Sequence, residues 1–312
     1  MNFIDLCAGV GGFSLGMMMA GHEPIAAYDS DPIAVEYYNR NLGPHAQVRD
    51  IRTLRGADLP EADGIIGGPP CQALSSANKL RGVAQTGGWG WESDRNLVPE
   101  FVRLVLEARP KFFVMENVLG ILRFKEGLNF EFGRLAAAGY EPVIVKVDAA
   151  NYGVPQNRKR IFIIGYRNNA FVRFPAPTHT QRNQVSARTA IGALLTEPTP
   201  APKYMQPYCE GEDKMISGTN RPPQKRGERF FYWRTLDRPS FTILSKGRAG
   251  KCNGGIDRVW MSGNCYRLTQ FHLGTLQSFP NSFEWPENFY PARVLAGNAV
   301  PPLLGWHIGK AL

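Results

Sequence analysis

Residues 3–13 read Phe3-Ile4-Asp5-Leu6-Cys7-Ala8-Gly9-Val10-Gly11-Gly12-Phe13, and this stretch gives the first indication of the fold class. Its apolar start predicts a short buried strand, and the glycines predict a tight turn into a helix that continues through residues 15–19. Glycines let the backbone approach a ligand closely, and a helix start offers free N–H groups. Glycine-rich turns also serve packing alone, so the turn needs support from the rest of the chain.

The first half of the chain repeats this alternation of short apolar runs and helix-like stretches. Strands are predicted at residues 24–28, 65–66, 112–115, 143–145 and 160–166, and helices at 32–41, 99–108 and 130–138. Strands separated by helices imply parallel strands joined by crossovers. The predicted fold is a doubly wound, Rossmann-like α/β sheet, whose binding site lies at the carboxyl ends of its strands.

The composition of the sequence changes after about residue 174. Eight prolines between residues 175 and 223 exclude a long helix there and predict a second, smaller and irregular domain. Residues 292–312 return to an apolar, helix-like pattern and are predicted to pack on the first domain. We therefore assign residues 1–174 and 290–312 to the first domain and residues 175–289 to the second.

The net charge of +9 is concentrated in the second domain. Residues 221–267 contain eleven Lys or Arg but three Asp or Glu, interleaved with aromatic side chains. A basic segment with aromatic residues suits a polyanion with stackable bases, which favours a nucleic acid partner. The alternative is a solvated basic surface over an aromatic core.

Composition also excludes several classes of protein. The longest apolar runs, such as residues 161–164, are too short to cross a bilayer, and residues 1–5 lack the features of a signal peptide. We expect a cytoplasmic protein without membrane contact. The five cysteines form no C-x-x-C pair and have no histidine at ligand spacing, so neither a disulfide framework nor a metal site is expected.

One cysteine stands on a stiff turn. It is Cys71, in Gly67-Gly68-Pro69-Pro70-Cys71-Gln72, directly after the predicted strand at 65–66. Two prolines fix φ and remove two backbone donors, so the thiol is presented from a rigid support. Asp29 ends the second predicted strand, where an acidic residue commonly accepts hydrogen bonds from a ribose. A nucleoside cofactor is indicated, and a nicotinamide cofactor stays open at this point.

Five short motifs make the resemblance specific: residues 5–13, 68–72, Glu116-Asn117-Val118, Gln156-Asn157-Arg158-Lys159-Arg160, and Gly297-Asn298-Ala299-Val300. In this order, with a basic irregular insert before the last, they resemble the cytosine-5 DNA methyltransferases of the compact prokaryotic or phage type. The resemblance runs nearly end to end. It implies a methyltransferase domain that binds S-adenosylmethionine and a smaller target-recognition domain that acts on double-stranded DNA, in a monomer.

The resemblance also implies catalytic roles. Cys71 would add to C6 of a flipped cytosine, because C5 becomes nucleophilic only after that addition. Glu116 would hold or protonate N3, Arg160 would contact the flipped base, and Arg158 would support the site. Arg158 and Arg160 alternate along the start of a strand, so both can face one side.

Binding residues carry over in the same way. The implied cofactor residues are Gly9, Gly11, Gly12, Phe13, Asp29, Asp50, Ile51, Pro70, Leu97, Asn298 and Ala299. The implied DNA-binding residues are Gln72, Ser75, Arg234, Thr242, Lys246 and Arg248. Residues 267–272 resemble a family element that usually ends in glutamate, so His272 is a departure from the pattern.

Two alternative functions are compatible with these motifs. A cytosine-5 enzyme acting on tRNA would use the same catalytic residues, although the basic segment with Thr242-Ile243 favours DNA. A catalytically idle DNA-binding protein of the same fold would need none of Cys71, Glu116 and Arg160 together. The recognised sequence, an accompanying restriction endonuclease and the base that activates Cys71 are not readable from the residues.

Overall fold

The computed structural model describes residues 1–70, 91, 93–94, 96–167, 174–200, 211–218, 231–245 and 256–312. They form two compact units. The first unit comprises residues 1–148, 159–176 and 304–312, and the second comprises 149–158 and 177–303. These units divide the chain differently from the predicted domains in placing 149–158 and 290–303 with the second unit. The functional domain boundaries stay a prediction.

The part of the first unit that the structure describes contains a seven-stranded mixed sheet in the order β3-β2-β1-β4-β5-β7-β6. The strands are β1 (Asn2–Leu6), β2 (Glu23–Asp29), β3 (Ala46–Val48), β4 (Gly64–Gly67), β5 (Phe112–Asn117), β6 (Val143–Asp148) and β7 (Lys159–Tyr166). Up to residue 148, the described helices of this unit are α1 (Gly12–Met19), α2 (Pro32–Leu42), α3 (Val98–Ala108) and α4 (Lys125–Ala137). The predicted doubly wound α/β class is confirmed.

The last two strands depart from the parallel pattern. β1 to β5 pair in parallel, whereas β7 runs antiparallel to both β5 and β6. The short 3-10 turn Ala149–Tyr152 is the regular element between β6 and β7, and a long helical crossover is absent from this fully described connection. A parallel return needs a crossover of a dozen or more residues, so the chain turns back instead.

Helices cover the sheet because their apolar side chains repeat at helical spacing. Five residues of α3 are buried: Val98, Phe101, Val102, Leu104 and Val105. They pack in one core cluster with residues of β1, β4 and β5, such as Ile4, Ile65 and Phe113. Phe13 and Met17 of α1 are buried as well. Burying an aliphatic or aromatic side chain contributes about 1.5–3 kcal/mol each, so this packing fixes the strand ends in space.

The second unit has its own small sheet. Its strands are β8 (Lys214–Gly218), β9 (Phe231–Thr235), β10 (Ile256–Met261) and β11 (Asn264–Arg267), in the order β11-β10-β8-β9, with every neighbouring pair antiparallel. The further helices in the described ranges are α5 (Ala187–Ile191), α6 (Gln270–Leu276), α7 (Phe289–Asn298) and α8 (Pro302–Gly309), of which α8 lies mostly in the first unit. Within the described ranges no helix has the length and apolar character that a membrane span requires.

Candidate active site

Most of the predicted cofactor residues lie at the carboxyl ends of neighbouring strands in the first unit. β3, β2, β1 and β4 are adjacent in the sheet. Asp29 ends β2, Asp50 follows β3, the glycine-rich turn follows β1, and Pro70 follows β4. Parallel strands bring these positions to one edge of the sheet, where α/β folds bind their ligands.

The glycine-rich turn is fastened to the end of β2. The N–H of Gly9 donates to Asp29 Oδ2 at 2.8 Å, and the other carboxylate oxygen of Asp29 accepts from the Asp31 N–H at 2.9 Å. Gly11 precedes α1 with φ of 86°, in the region that favours glycine. An ideal Cβ on Gly11 would lie 2.7 Å from Cδ2 of Tyr38, so the position has no room for a side chain.

Carboxylates crowd this turn. Asp5 is 1% exposed and accepts a hydrogen bond from the Ser14 hydroxyl at 2.6 Å, and burial raises the pKa of Asp5 to about 7. Burial also raises the pKa of Asp29, although the backbone N–H groups of Asp31 and Gly9 oppose that shift. Burial, with Asp29 and Asp5 nearby, raises the pKa of Cys7 well above its usual range. The glycine-rich turn therefore disfavours a thiolate at Cys7.

Three further predicted cofactor residues make contacts within the first unit. The ring of Phe13 meets Phe162 edge-on, with centroids 6.0 Å apart, and is 3% exposed. Asp50 binds Arg52, whose hydrogen bonds lower the pKa of that carboxyl. Ile51 is buried, and its carbonyl accepts from Arg103 at 3.1 Å.

Two predicted cofactor residues on different elements are joined directly. The N–H of Leu97, just before α3, donates to the carbonyl of Pro70 at 3.0 Å. The side-chain amide of Asn117 donates to the carbonyl of the preceding residue, Pro69, at 3.1 Å. The segment that leads from β4 to Cys71 is thus held by α3 on one side and by the end of β5 on the other.

Glu116 and Arg160 form a buried ion pair. Arg160 Nε lies 2.7 Å from Glu116 Oε1, and the two side chains are 13% and 10% exposed. Among the residues that the structure describes, no hydrogen bond of good geometry reaches Oε1, so the contact is an ion pair without an aligned hydrogen bond. Oε1 is therefore a buried acceptor that a substrate donor can still satisfy. Gly68 lies beside the other carboxylate oxygen, because an ideal Cβ at Gly68 would lie 3.5 Å from Glu116 Oε2.

Arg158 has a different environment, within the second unit. Its side chain is buried and donates to the carbonyls of Ile243, Gly297 and Ala299 at 3.4, 3.0 and 2.9 Å. Gly297 lies so close to residues 244 and 245 that an ideal Cβ would be 2.7 Å from the Leu244 carbonyl carbon. Arg158 therefore joins the segment around Ile243 to the segment that contains Asn298 and Ala299.

Two predicted DNA-binding side chains are engaged within the same unit. The hydroxyl of Thr242 donates to the carbonyl of Asn157 at 2.6 Å. Arg234 donates to the side chain of Asn157 at 2.5 Å and to the carbonyl of Pro239 at 3.0 Å, and its guanidinium lies 4.6 Å from the centroid of the Phe241 ring. A role of either residue in DNA binding stays a prediction.

The other predicted residues lie outside the described ranges. They are the predicted nucleophile Cys71 and the predicted DNA-binding residues Gln72, Ser75, Lys246 and Arg248.

Sequence reasoning missed three residues that organise the site. Asn117 holds Pro69, Asn157 binds Arg234, and the buried side chain of Gln156 accepts from the Ile243 N–H at 3.0 Å and donates to the Leu276 carbonyl at 3.2 Å. All three belong to the motifs quoted above. Their amide groups, placed next to charged residues in largely apolar surroundings, were the available signal.

Comparison with known proteins agrees with this arrangement. The family model for C-5 cytosine-specific DNA methylase matches residues 1–312. The type II methyltransferase M.NgoPII of Neisseria gonorrhoeae is 30% identical over 334 residues, which cover 100% of this chain and 95% of that protein. M1.HphI of Haemophilus parahaemolyticus is 31% identical over 341 residues, covering 100% of this chain and 86% of the relative.

Solved structures show the same fold. The Dnmt2 methyltransferase of S. pombe superposes with a TM-score of 0.72 at 16% identity, over 98% of this chain and 96% of the other. At that identity the likeness concerns the fold alone. The full-length family match and the full-length relatives carry the assignment: this chain belongs to the C-5 cytosine-specific DNA methylase family and is a DNA cytosine-5 methyltransferase.

Proposed function

We propose that the enzyme transfers the methyl group of S-adenosylmethionine to C5 of a flipped cytosine within a specific duplex DNA sequence, using Cys71 as the nucleophile. The observation that carries this proposal is the buried Glu116–Arg160 pair, 2.7 Å apart, beside the segment that leads to Cys71. A buried acid with an unsatisfied acceptor is costly for a protein that only binds DNA.

The contacts around that segment support the role of Glu116. Its Oε2 lies next to Gly68, and Asn117 holds the carbonyl of Pro69. Cys71 follows Pro70 in the chain, so the acid is positioned from the backbone that presents the thiol. A nucleophile and an acid that must act on opposite sides of one pyrimidine ring need this kind of shared support.

The chemistry assigns a task to each side chain. The Cys71 thiolate adds to C6, and the electron pair of the C5–C6 double bond moves into the ring. Glu116 holds or protonates N3 and so accommodates that charge, while Arg160 contacts the flipped base and keeps the carboxylate oriented. C5 becomes nucleophilic as a result. S-adenosylmethionine, when bound, supplies the electrophilic methyl group, and loss of the C5 proton then releases the thiol.

The residues present fit this cofactor. An ideal Cβ at Gly9 meets nothing within 4 Å, which leaves room for a ligand there, and Asp5 Oδ1 on β1 accepts no hydrogen bond from the described residues. We assign the glycine-rich turn and Asp29 to the ribose and amino-acid portion, and Phe13, Asp50, Ile51, Pro70 and Leu97 to the adenine. Asn298 and Ala299 stay predicted cofactor residues, and Arg158 holds their segment within the second unit.

A covalent trap tests the nucleophile. In duplex DNA with 5-fluorocytosine at the target position, C5 carries a fluorine that cannot leave as a proton, so the thiol stays attached to C6. We expect a denaturation-resistant complex with the wild type and none with Cys71→Ser. Cys265→Ser is the matched control, because Cys265 is buried in the second unit and should leave trapping intact. Trapping that persists in Cys71→Ser would exclude the mechanism.

A second experiment tests the substrate. Labelled S-adenosylmethionine is offered with duplex DNA or with tRNA, and we expect transfer to the duplex alone. Bisulfite sequencing of a plasmid from expressing cells then identifies the methylated site, and light scattering of the enzyme in solution tests the proposed monomer. Transfer to tRNA instead of DNA would contradict the proposed substrate.

A further inference from the structure

A solvent-open groove of about 470 Å³ lies within the second unit. It is lined by Gln181, Arg182, Gln184, Asp237, Arg238 and Pro239. One wall is the chain segment before α5, and the other is the turn that follows β9. Five of the six lining residues are polar or charged.

The two walls are fixed to each other. The Ala187 N–H donates to the Arg238 carbonyl and the Arg188 N–H donates to the Leu236 carbonyl, both at 2.9 Å. Arg188 also binds Asp237 at 2.7 Å and Asp213 at 2.6 Å. The groove is therefore a preformed feature of the unit, not a gap between loosely placed loops.

The segment before α5 is anchored as well. Gln184 donates to the side chain of Asn151 at 2.8 Å, and the backbone N–H groups of Thr178 and His179 both donate to the Asn151 carbonyl at 3.0 Å. Arg182 thus projects from a segment held on both sides. Holding a long side chain's backbone in place lowers the entropy lost when the side chain binds a ligand.

Some charged side chains of the groove have an ion-pair partner among the described residues, and others do not. Arg182 and Arg238 are exposed, and within the described ranges neither forms an ion pair. Asp237, the acid of the lining, already binds Arg188. Arg182, Arg188 and Arg238 together with Asp213 and Asp237 carry a net charge of +1. Two guanidinium groups and the amide of Gln181 are left to serve an incoming anion.

We propose that this groove binds one phosphodiester of the DNA backbone, outside the catalytic residues. The proposal rests on the proposed function, because it takes DNA as the substrate. Guanidinium groups match phosphate oxygens with paired N–H donors, and about half or more of protein–DNA hydrogen bonds go to phosphate and sugar. The contact fixes the position of the duplex and carries no sequence information.

Salt-dependent DNA binding tests the groove. The probes are a duplex that contains the site found by bisulfite sequencing and the same duplex with that site altered. We expect Arg182→Gln/Arg238→Gln to bind both duplexes roughly tenfold more weakly. Its plot of log affinity against log salt should be shallower by about 0.9, the effect of one phosphate contact.

A matched control separates the site from general charge. Arg55→Gln/Arg109→Gln removes the same two positive charges from exposed arginines near the end of α3 that faces away from the strand carboxyl ends. Equal weakening by this control variant would overturn the proposal, as would a loss confined to the duplex with the intact site. Titration with inorganic phosphate gives the third arm: a phosphate site lost in the double variant, with DNA binding unchanged, would make the groove a site for free anion.

The same preparations distinguish the two proposals. Unchanged DNA binding by the double variant, while the wild type methylates the duplex, defeats the phosphate groove and leaves the proposed function standing. Absence of methyl transfer to DNA by the wild type defeats the proposed function itself.

Discussion

Arg160 and Glu116 are paired across two antiparallel strands, with Nε 2.7 Å from Oε1. In the β5–β7 ladder Glu116 lies opposite Phe162, so Arg160 reaches the carboxylate from two residues earlier in its strand. Arg158, two residues earlier again, makes its contacts with carbonyls of the second unit. Alternate positions of one motif therefore serve different tasks, one at the acid and one as an internal anchor.

Arg160→Ala should lower covalent trapping while DNA binding persists. The substitution leaves Glu116 buried without its cation, so the carboxylate loses orientation at the base. We expect about a hundredfold slower trapping with 5-fluorocytosine DNA, the typical effect of removing one oriented polar group from an active site. Filter binding to unmodified duplex measures affinity in parallel. If trapping and affinity fall by the same factor, Arg160 acts in DNA binding and not at the acid.

Arg158→Lys should destabilise the protein more than Arg160→Lys. Lysine cannot reach three carbonyls with one ammonium group, so buried acceptors lose their donors. We expect a loss of about 2–3 kcal/mol in the free energy of unfolding, measured by urea denaturation. Arg160→Lys keeps a cation beside one carboxylate and should lose less stability. The reverse order would mean that Arg158 is not the anchor described here.

The site residues on strands and helices could largely be predicted from the sequence, whereas the hydrogen-bond partners that hold Arg158 could not. The end of β5 follows from an apolar run that stops at Glu116, and the loop before Cys71 follows from two prolines. The partners of Arg158 are 85, 139 and 141 residues away in the chain, a distance at which no local pattern specifies a contact. The antiparallel direction of β7 could not be predicted either, because a pattern of apolar residues does not indicate strand direction.

Gly11→Ala should destabilise the protein more than Gly9→Ala. Both glycines have positive φ, at 86° and 56°, so alanine costs about 1 kcal/mol at either position. At Gly11 the added Cβ would also collide with Tyr38 and Leu42, whereas at Gly9 it meets open space. Thermal unfolding of the two variants without cofactor measures the difference. Equal midpoints would mean that α2 yields to the added methyl group.

Asp5→Asn should remove a loss of stability that occurs between about pH 4 and pH 7. Burial raises the folded-state pKa of Asp5 to about 7, above its value in the unfolded chain. The contribution of this group to stability is complete below the unfolded pKa and is lost as pH rises through about 7, by up to about 4 kcal/mol. Urea denaturation between pH 4 and pH 8 should show this decline in the wild type, levelling off above about pH 7, and a flatter profile in the variant. Glu61→Gln, at an exposed carboxylate, is the control and should keep the decline.

For His272 we expect stability to be lost as pH falls, the opposite of Asp5. The hydrogen bonds of the His272 ring give its protonation state. Nδ1 lies 3.0 Å from the backbone nitrogen of Thr269, which can only donate, so Nδ1 is the acceptor. The ring is therefore neutral, with its proton on Nε2, which donates to the Leu194 carbonyl at 3.1 Å. In this position the histidine completes the capping box of α6, the task for which Glu or Gln is usual.

Acidification should therefore weaken the start of α6. Burial lowers the folded-state pKa of His272, so its contribution to stability is present above the unfolded pKa and is lost as pH falls through the folded one. His272→Gln keeps an acceptor for the Thr269 N–H and does not titrate, so its unfolding free energy should fall less between pH 7 and pH 5 than that of the wild type. His45→Gln removes a histidine from the first unit and should leave the acid-side slope unchanged. An identical slope for wild type and His272→Gln would show that other groups govern acid stability.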